Sequence, residues 1–352
     1  MKPQTPSTNG SGLKILILKP SSLGDVVLAL PVLRLLKRQF PNSKIYWWID
    51  SNLAGLLEGD PDLEGLVRFA RQGWAGPRYW GELLSSIRWM QAQAFDWVID
   101  LQGLMRSGLF AWLANGGLTI GLDDSREGAA AFYDVIVRTP SHSHALDSYL
   151  AVLPALGVTV DWNFAWLPER PEVAATVRNK WGLHEGRWVI LQPGARWINK
   201  RWPAEHYARL LGLAAIARPD IRFAVLGSGE DQPLANVITA AAPGRCLDLT
   251  GKLSLPEMVE CIRLSELMVT NDTGPMHVAA AQGKPVVALF GPTEPSWTGP
   301  YGQLEHVMQL ALPCVPCRKS DCTYVKEFEC LRGIPPEAVF KAVLARLKSS
   351  DE

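Results

Sequence analysis

Residues Val269 to Gln282 read V-T-N-D-T-G-P-M-H-V-A-A-A-Q, and the order of apolar strand, polar turn and small-residue helix leaves few folds open. The strand ends at Val269, the turn is Asn271-Asp272-Thr273-Gly274, and the helix starts near Pro275, a residue suited to a first helical position. Asp272 or Thr273 suits the cap. Such a junction aims backbone N–H groups and the positive end of a helix dipole at the space above the strand ends. A phosphate fits there, and His277, about one turn in, looks toward the same spot. The same residues also describe a well-capped helix with a buried histidine.

The pattern recurs along the chain. Lys14 to Lys19 (K-I-L-I-L-K) is a strand, Pro20 to Gly24 a turn, and Asp25 to Gln39 a helix with Val26, Leu30, Leu33 and Leu36 at helical spacing. Lys44 to Asp50 and Trp97 to Leu101 are further strands; Tyr79 to Ala94 and Ala145 to Leu156 are helices. After a proline-punctuated linker at Asp161 to Pro171 the rhythm restarts with strands at Trp188–Gln192, Ile221–Leu226, Leu267–Thr270 and Pro285–Leu289 and a helix at Ala204–Ala217. Strands separated by helices of this length mean parallel sheets covered on both faces. The expected class is α/β, with residues 13–165 and 166–352 as two Rossmann-like domains whose sheets face a central cleft, and ligands at the carboxyl ends of the strands.

A length of 352 residues suits two domains. Lysine plus arginine equals aspartate plus glutamate, 35 each, so no global field points to nucleic acid. No apolar run approaches the ~20 residues needed to span a bilayer. Residues 1–12 are polar and lack the apolar core of a signal peptide, so they read as a flexible tail on a cytoplasmic protein. The 14 tryptophans read mainly as core, with sugar stacking or a membrane edge as the alternative. Cys314, Cys317, Cys322 and Cys330 are spaced C-x2-C-x4-C-x7-C. That spacing is compatible with a metal knuckle or a stapled loop, but only the first pair has a familiar metal-ligand spacing, and a structural zinc is not favoured.

Four loops that follow strands carry functional residue types. The first is Ser21-Ser22-Leu23-Gly24-Asp25, where a carboxylate at a helix start serves either as a dipole-matched cap or as an ionised proton acceptor. The second holds Arg196, Lys200 and Arg201, cations suited to a diphosphate or simply to solvent. The third is Gly227-Ser228-Gly229-Glu230, whose glycines permit close backbone approach and whose Glu230 suits ribose hydroxyls. The fourth is the Asn271–His277 junction, supported by Phe290 to Pro295 after the next strand. A full G-x-G-x-x-G and a phosphate loop ending in Gly-Lys-Ser/Thr are both missing from the sequence, which argues against common NAD dehydrogenases and NTPases. The missing G-x-S-x-G argues against a serine hydrolase.

Several ordered blocks carry a resemblance: S-S-L-G-D-V-V with L-P-V-L, D-L-Q-G-L at Asp100 to Leu104, R-E-G with F-Y from Arg126 to Tyr133, P-G-A with K-R-W-P, N-D-T-G with His277, and V-V-A-L-F-G-P-T with T-G-P-Y-G. Together they resemble glycosyltransferase family 9, the ADP-heptose:lipopolysaccharide heptosyltransferases, from about Leu13 to Leu347. The resemblance implies a GT-B fold, with the acceptor on the N-terminal domain and the ADP-sugar on the C-terminal one. It also implies an inverting transfer of heptose from ADP-L-glycero-D-manno-heptose to the lipopolysaccharide inner core without a catalytic metal or other cofactor. By motif, Asp25 becomes the general base, Lys200 the partner of the diphosphate, and Glu230 the ribose ligand. Gly24, Arg196, Asp272, Thr273, Gly274 and His277 complete the nucleotide-sugar site. Some members carry a threonine pair where Ala195 and Arg196 stand here, so the loops mix features of first- and second-heptose enzymes.

The acceptor is then an anionic glycolipid at the inner membrane surface. Arg106 and Arg126 suit its carboxylates or phosphates. Arg68, Arg71, Arg78 and Arg88 interleave with Trp74, Trp80 and Trp89 as a candidate membrane-docking face, or as core tryptophans beside solubilising arginines. Two competing functions are a family 9 transferase using another nucleotide sugar and a nucleotide-sugar epimerase of the same build. An epimerase needs acid/base groups on both faces of the sugar, and the sequence nominates only Asp25.

Overall fold

Four of the five residues of the first strand are fully buried, a condition met only by a strand inside a sheet covered on both faces. A computed structural model describes residues 12–69, 80–183 and 186–347 and divides the chain into two units, Met1–Pro168 and Glu169–Glu352. In the first, the strands are β1 (Lys14–Leu18), β2 (Lys44–Asp50), β3 (Gly65–Phe69), β4 (Trp97–Asp100), β5 (Leu118–Leu122) and β6 (Val135–Val137). They form one six-stranded sheet in the order β3-β2-β1-β4-β5-β6. Every pairing is parallel, and β1 aligns Ile17 with Ile99 of β4.

The second unit repeats this plan. Its strands are β7 (Arg187–Gln192), β8 (Ile221–Val225), β9 (Cys246–Asp248), β10 (Leu267–Asn271), β11 (Val286–Phe290) and β12 (Val307–Gln309). Their order is β12-β11-β10-β7-β8-β9, again with parallel pairings. Renumbered within the unit, this is the same 3-2-1-4-5-6 Rossmann order. Both sheets reverse direction beside their first strand, between β1 and β4 and between β7 and β10. That switch point opens a crevice at the carboxyl ends of the strands. The α/β reading therefore holds in both units.

The helices follow their apolar stripes. Leu23–Gln39 buries Val26, Leu30, Leu33 and Leu36, and Lys37 and Arg38 sit in its last turn, where cations suit the dipole. Arg34 on the same helix is buried as well. Its guanidinium donates to Asp60 at 2.7 Å, to Asp62 at 2.6 Å and to the carbonyl of Trp166 at 3.0 Å. The expected single helix from Ala145 to Leu156 is two pieces, Ala145–Leu150 and Val152–Ala155.

Tryptophans divide by position. Trp48 stacks on Phe69 and Phe110 with centroids 4.4 and 4.9 Å apart, and Trp47 and Trp202 are buried with their indole N–H groups bonded to carbonyls. Trp89, Trp112 and Trp162 are exposed. Of the candidate membrane-facing residues, Arg71, Trp74 and Arg78 lie outside the described residues, as does the side chain of Trp80. Arg68 pairs with Glu58 at 2.9 Å, and Trp89 packs edge-on against Tyr46. Among the described residues no helix is long and apolar enough to cross a membrane.

Candidate active site

In the first unit, functional groups gather at the carboxyl ends of β1, β4 and β5. The helix that follows β1 begins at Leu23 with Ser22 as its cap, Gly24 buried in its first turn and Asp25 at its third position. Asp25 Oδ2 accepts from the Ser22 backbone N–H at 2.9 Å and from Ser22 Oγ at 2.7 Å, which closes a capping arrangement. Its other oxygen, Oδ1, accepts from the hydroxyl of Tyr149 at 3.0 Å. One oxygen thus serves the helix cap, and the other faces Tyr149.

Lys19 follows β1 and is buried, with Nζ donating to the Leu101 carbonyl at 2.9 Å and lying 4.4 Å from the centroid of the Tyr149 ring. Burial lowers its pKa, opposed by the charges of Asp25, Asp100 and Asp124. For Asp25 burial acts to raise the pKa, but the Lys19 ammonium and the donors on Ser22 and Tyr149 outweigh it. The carboxyl stays below its usual range. Burial and the neighbouring Asp25 charge push the Tyr149 hydroxyl up, so it remains a donor.

Asp100 ends β4 and is fully buried. Its Oδ1 accepts from the N–H groups of Gln102 and Gly103 at 2.8 and 3.2 Å, and its Oδ2 from Tyr133 OH at 2.8 Å. Burial nevertheless raises its pKa. The Arg126 N–H donates to the Gly103 carbonyl at 2.7 Å, so the loops after β4 and β5 are joined. The Arg126 and Arg106 side chains are exposed. Arg106 borders a cavity of roughly 520 Å³ whose wall also includes Ser21, Trp48, Phe69, Gln102 and Leu109. Such a space holds a sugar-sized ligand.

In the second unit, the loops after β7, β10 and β11 are stitched by side chains. Asn271, wholly buried at the end of β10, donates Nδ2 to the Pro193 carbonyl at 2.7 Å and accepts the Trp202 N–H at 3.1 Å. This fixes the segment that carries Arg196, which is exposed, and Lys200, which is not. Lys200 Nζ lies 2.6 Å from Asp272 Oδ2 and 4.8 Å from the centroid of the Trp197 ring. Thr293, from the loop after β11, donates Oγ1 to the same Asp272 oxygen at 2.6 Å. Asp272 is thus an ion-pair partner and not a helix cap.

Thr273 holds the N-cap position of helix Gly274–Ala281 and makes no side-chain cap hydrogen bond, and His277 is buried near the helix start. The start of this helix therefore offers backbone N–H groups beside the Lys200–Asp272 pair.

Glu230 is exposed in the short Gly229–Asp231 turn, and its neighbour Asp231 escaped sequence reasoning. The Asp231 carboxylate accepts from Ser228 N–H at 2.8 Å and Ser228 Oγ at 3.0 Å. A Cβ on Gly194 would meet its carboxylate at 2.5 Å, and one on Gly227 at 2.8 Å. The absent side chain of Gly227 therefore makes room for Asp231, while Gly229 in the same turn faces open space.

The four clustered cysteines are free and border a small cavity of about 30 Å³ behind Asn199 and Pro292. Asn199 donates to the Lys319 carbonyl at 2.7 Å, and the Arg318 N–H donates to the Pro292 carbonyl at 2.7 Å, so this segment braces the Lys200 loop. Burial, with the other three cysteines, pushes the Cys330 thiol up to about 11. Among the described residues no group of three or more His, Cys, Asp or Glu side chains is disposed to hold a metal ion.

The sequence profile of glycosyltransferase family 9 (heptosyltransferase) matches residues 83–327, more than half of the chain. The chain belongs to glycosyltransferase family 9. It is therefore a glycosyltransferase, and the enzyme class read from the sequence holds. Lipopolysaccharide heptosyltransferase 1 of Pseudomonas aeruginosa is 27% identical over 330 residues, covering 89% of this chain and 88% of its own. A family 9 glycosyltransferase from Veillonella parvula superposes with a TM-score of 0.81 at 26% identity, over 95% of this chain and 96% of the other. The E. coli ADP-heptose lps heptosyltransferase II gives a TM-score of 0.78 at 24% identity, over 95% and 98%.

Proposed function

We propose that this family 9 member is an inverting heptosyltransferase that moves heptose from ADP-heptose to the inner core of lipopolysaccharide. The names of the relatives supply the donor and acceptor classes: a lipopolysaccharide heptosyltransferase in Pseudomonas aeruginosa and an ADP-heptose enzyme in E. coli. The observation that carries the reading is the state of Asp25, an ionised carboxylate at the carboxyl end of β1 with one oxygen committed to the helix cap. Inversion requires one base to deprotonate the acceptor hydroxyl while it attacks the anomeric carbon from the face opposite the leaving group. In this reading Asp25 is that base.

Departure of ADP needs positive electrostatics at the developing phosphate charge. Lys200 and the backbone N–H groups at the start of helix Gly274–Ala281 supply it, without a catalytic metal. In the second unit, Arg196, Thr273, Gly274 and His277 line the nucleotide-sugar site. Asp272 holds Lys200 until a diphosphate competes for it, and Glu230 takes the ribose. The N-terminal unit binds the acceptor, with Arg106 and Arg126 on its anionic groups. Helix Met105–Leu113 carries Met105, Leu109 and Trp112 at 53, 38 and 60% exposure along one stripe, which suits a protein working at the cytoplasmic face of the inner membrane.

The test is mass analysis of the product formed from ADP-heptose with Kdo-lipid A, set against heptosylated core. Addition of one heptose to either acceptor supports the reading and identifies the step. No transfer to either, or turnover of the donor into an isomer without acceptor, would sink it.

A further inference from the structure

The two oxygens of the Asp25 carboxylate are unequal. A carboxylate oxygen has two lone-pair directions. Oδ2 has both occupied, by the N–H and the Oγ of Ser22. Among the described residues, Oδ1 accepts a single hydrogen bond, from Tyr149. Tyr149 sits on helix Ala145–Leu150, which packs against helix Leu23–Gln39, and only 7% of it is exposed. Its ring is covered on one face by the Lys19 ammonium, itself anchored on the Leu101 carbonyl. The hydroxyl is thus held in one place by Asp25 on helix Leu23–Gln39 and by Lys19 and Leu101, which follow β1 and β4, and none of these is adjacent to it in sequence.

Resting on the assignment of Asp25 as the base, we infer that Tyr149 is a positioning residue that locks the carboxylate so that Oδ1 takes the acceptor's proton. The acceptor O–H proton passes to the remaining lone pair of Oδ1. The electron pair of that O–H bond forms the new bond to the anomeric carbon, and the bond from that carbon to the diphosphate breaks with its electrons leaving on ADP. Nothing else is consumed.

Tyr149 has two effects of opposite sign. Its hydrogen bond favours the ionised carboxylate, which makes Asp25 a slightly weaker base but keeps it ionised and fixed in rotation. Misaligned reacting groups cost far more than a small loss of basicity. The charged and titratable groups around the pair are Lys19 from the end of β1, Asp100 from β4, and Asp124 and Arg126 from the loop after β5.

The experiment is a set of pH–rate profiles for the full chain and for Tyr149→Phe, Ser22→Ala and Asp25→Asn, with ADP affinity measured in parallel. Tyr149→Phe is expected to lower kcat on the order of 10-fold, to leave KM for the nucleotide sugar unchanged, and to move the acid limb of kcat/KM to higher pH. A purely structural role would not move that limb. Ser22→Ala also removes a donor from the carboxylate, but from the other oxygen, so it should shift the limb the same way and cost less in kcat than Tyr149→Phe.

A Tyr149→Phe enzyme with wild-type kcat and an unmoved limb, beside an inactive Asp25→Asn, overturns the inference and leaves Asp25 as the base. A fully active Asp25→Asn removes the base assignment and the inference together. Should Tyr149→Phe not fold, Ser22→Ala decides alone. A kcat loss there as large as in Asp25→Asn would put the reacting lone pair on Oδ2 and overturn the proposal.

Discussion

Lys200 Nζ and Asp272 Oδ2 lie 2.6 Å apart, across 72 residues of sequence and between the loops after β7 and β10. Both side chains are largely buried, and Thr293 Oγ1 shares the Asp272 oxygen. A cation and an anion held this way are in register before any ligand arrives, and a diphosphate competes with Asp272 for the ammonium. Lys200→Ala should reduce kcat/KM by about 10²–10³-fold and weaken ADP binding. Titration calorimetry with ADP and steady-state kinetics check it. Unchanged values for both would remove Lys200 from the diphosphate site.

Gly121 in β5 faces the ring of Tyr133 so closely that an added Cβ would lie 2.1 Å from a ring carbon. The ring cannot retreat without breaking its hydrogen bond to the buried Asp100. Gly121→Ala should therefore destabilise the fold by about 1–3 kcal/mol. Adding Tyr133→Leu should recover part of that loss, because the two positions share one clash. Denaturant melts of the two single variants and the double variant measure the coupling. Strict additivity would show that the cost of the added methyl does not come from the Tyr133 ring.

The same glycine explains part of what the sequence concealed. β5 is not among the expected strands: Gly116-Gly117 before it and Gly121 within it interrupt its apolar run, although Thr119 to Leu122 are buried. β3, β6, β9 and β12 were also missed. β6, β9 and β12 have only three residues each, and β3, β6, β9 and β12 are the outer strands of the two sheets, half-exposed, so their apolar signal is weak. The central strands β1, β2, β4, β7, β8, β10 and β11 were legible from continuous apolar runs, and the β10 turn-helix from Pro275.

Site residues divide in the same way. Asp25 and Lys200 stand in ordered motifs beside a strand end. Tyr149 reads as one more apolar-face residue of a helix, and its partner lies 124 residues away. Lys19 reads as the polar end of an apolar strand, and only the sheet shows that it is buried beneath Tyr149.

Arg34 offers a test of the core that is independent of catalysis. Its guanidinium reaches Asp60, whose side chain is 1% exposed, and also Asp62 and Trp166. Removing the cation alone leaves the Asp60 charge buried with no ion-pair partner among the described residues, a change that costs about 3–5 kcal/mol. Arg34→Met should lower the melting temperature by several degrees. Arg34→Met with Asp60→Leu should recover much of the loss, because no buried charge is then left over. If the double variant is less stable than the single one, the pair contributes net stability and the desolvation argument fails.

Asp25 gives a stability prediction whose sign follows from its environment. Its pKa in the folded protein is depressed by Lys19, Ser22 and Tyr149 acting against burial. A carboxyl so depressed contributes stability above its unfolded pKa of about 3.9 and loses that contribution as pH falls through the lower folded value. Asp25→Asn carries no such charge, so its melting temperature should lie furthest below wild type near neutral pH and converge on it below about pH 4. In the same variant kcat should fall by roughly 10²–10⁴-fold at neutral pH while ADP affinity changes little. Calorimetric scans from pH 3 to 8 with parallel kinetics read both effects. A gap that widens in acid would mean that the folded carboxyl is raised, leaving Asp25 a poorer candidate for a base that is ionised at neutral pH.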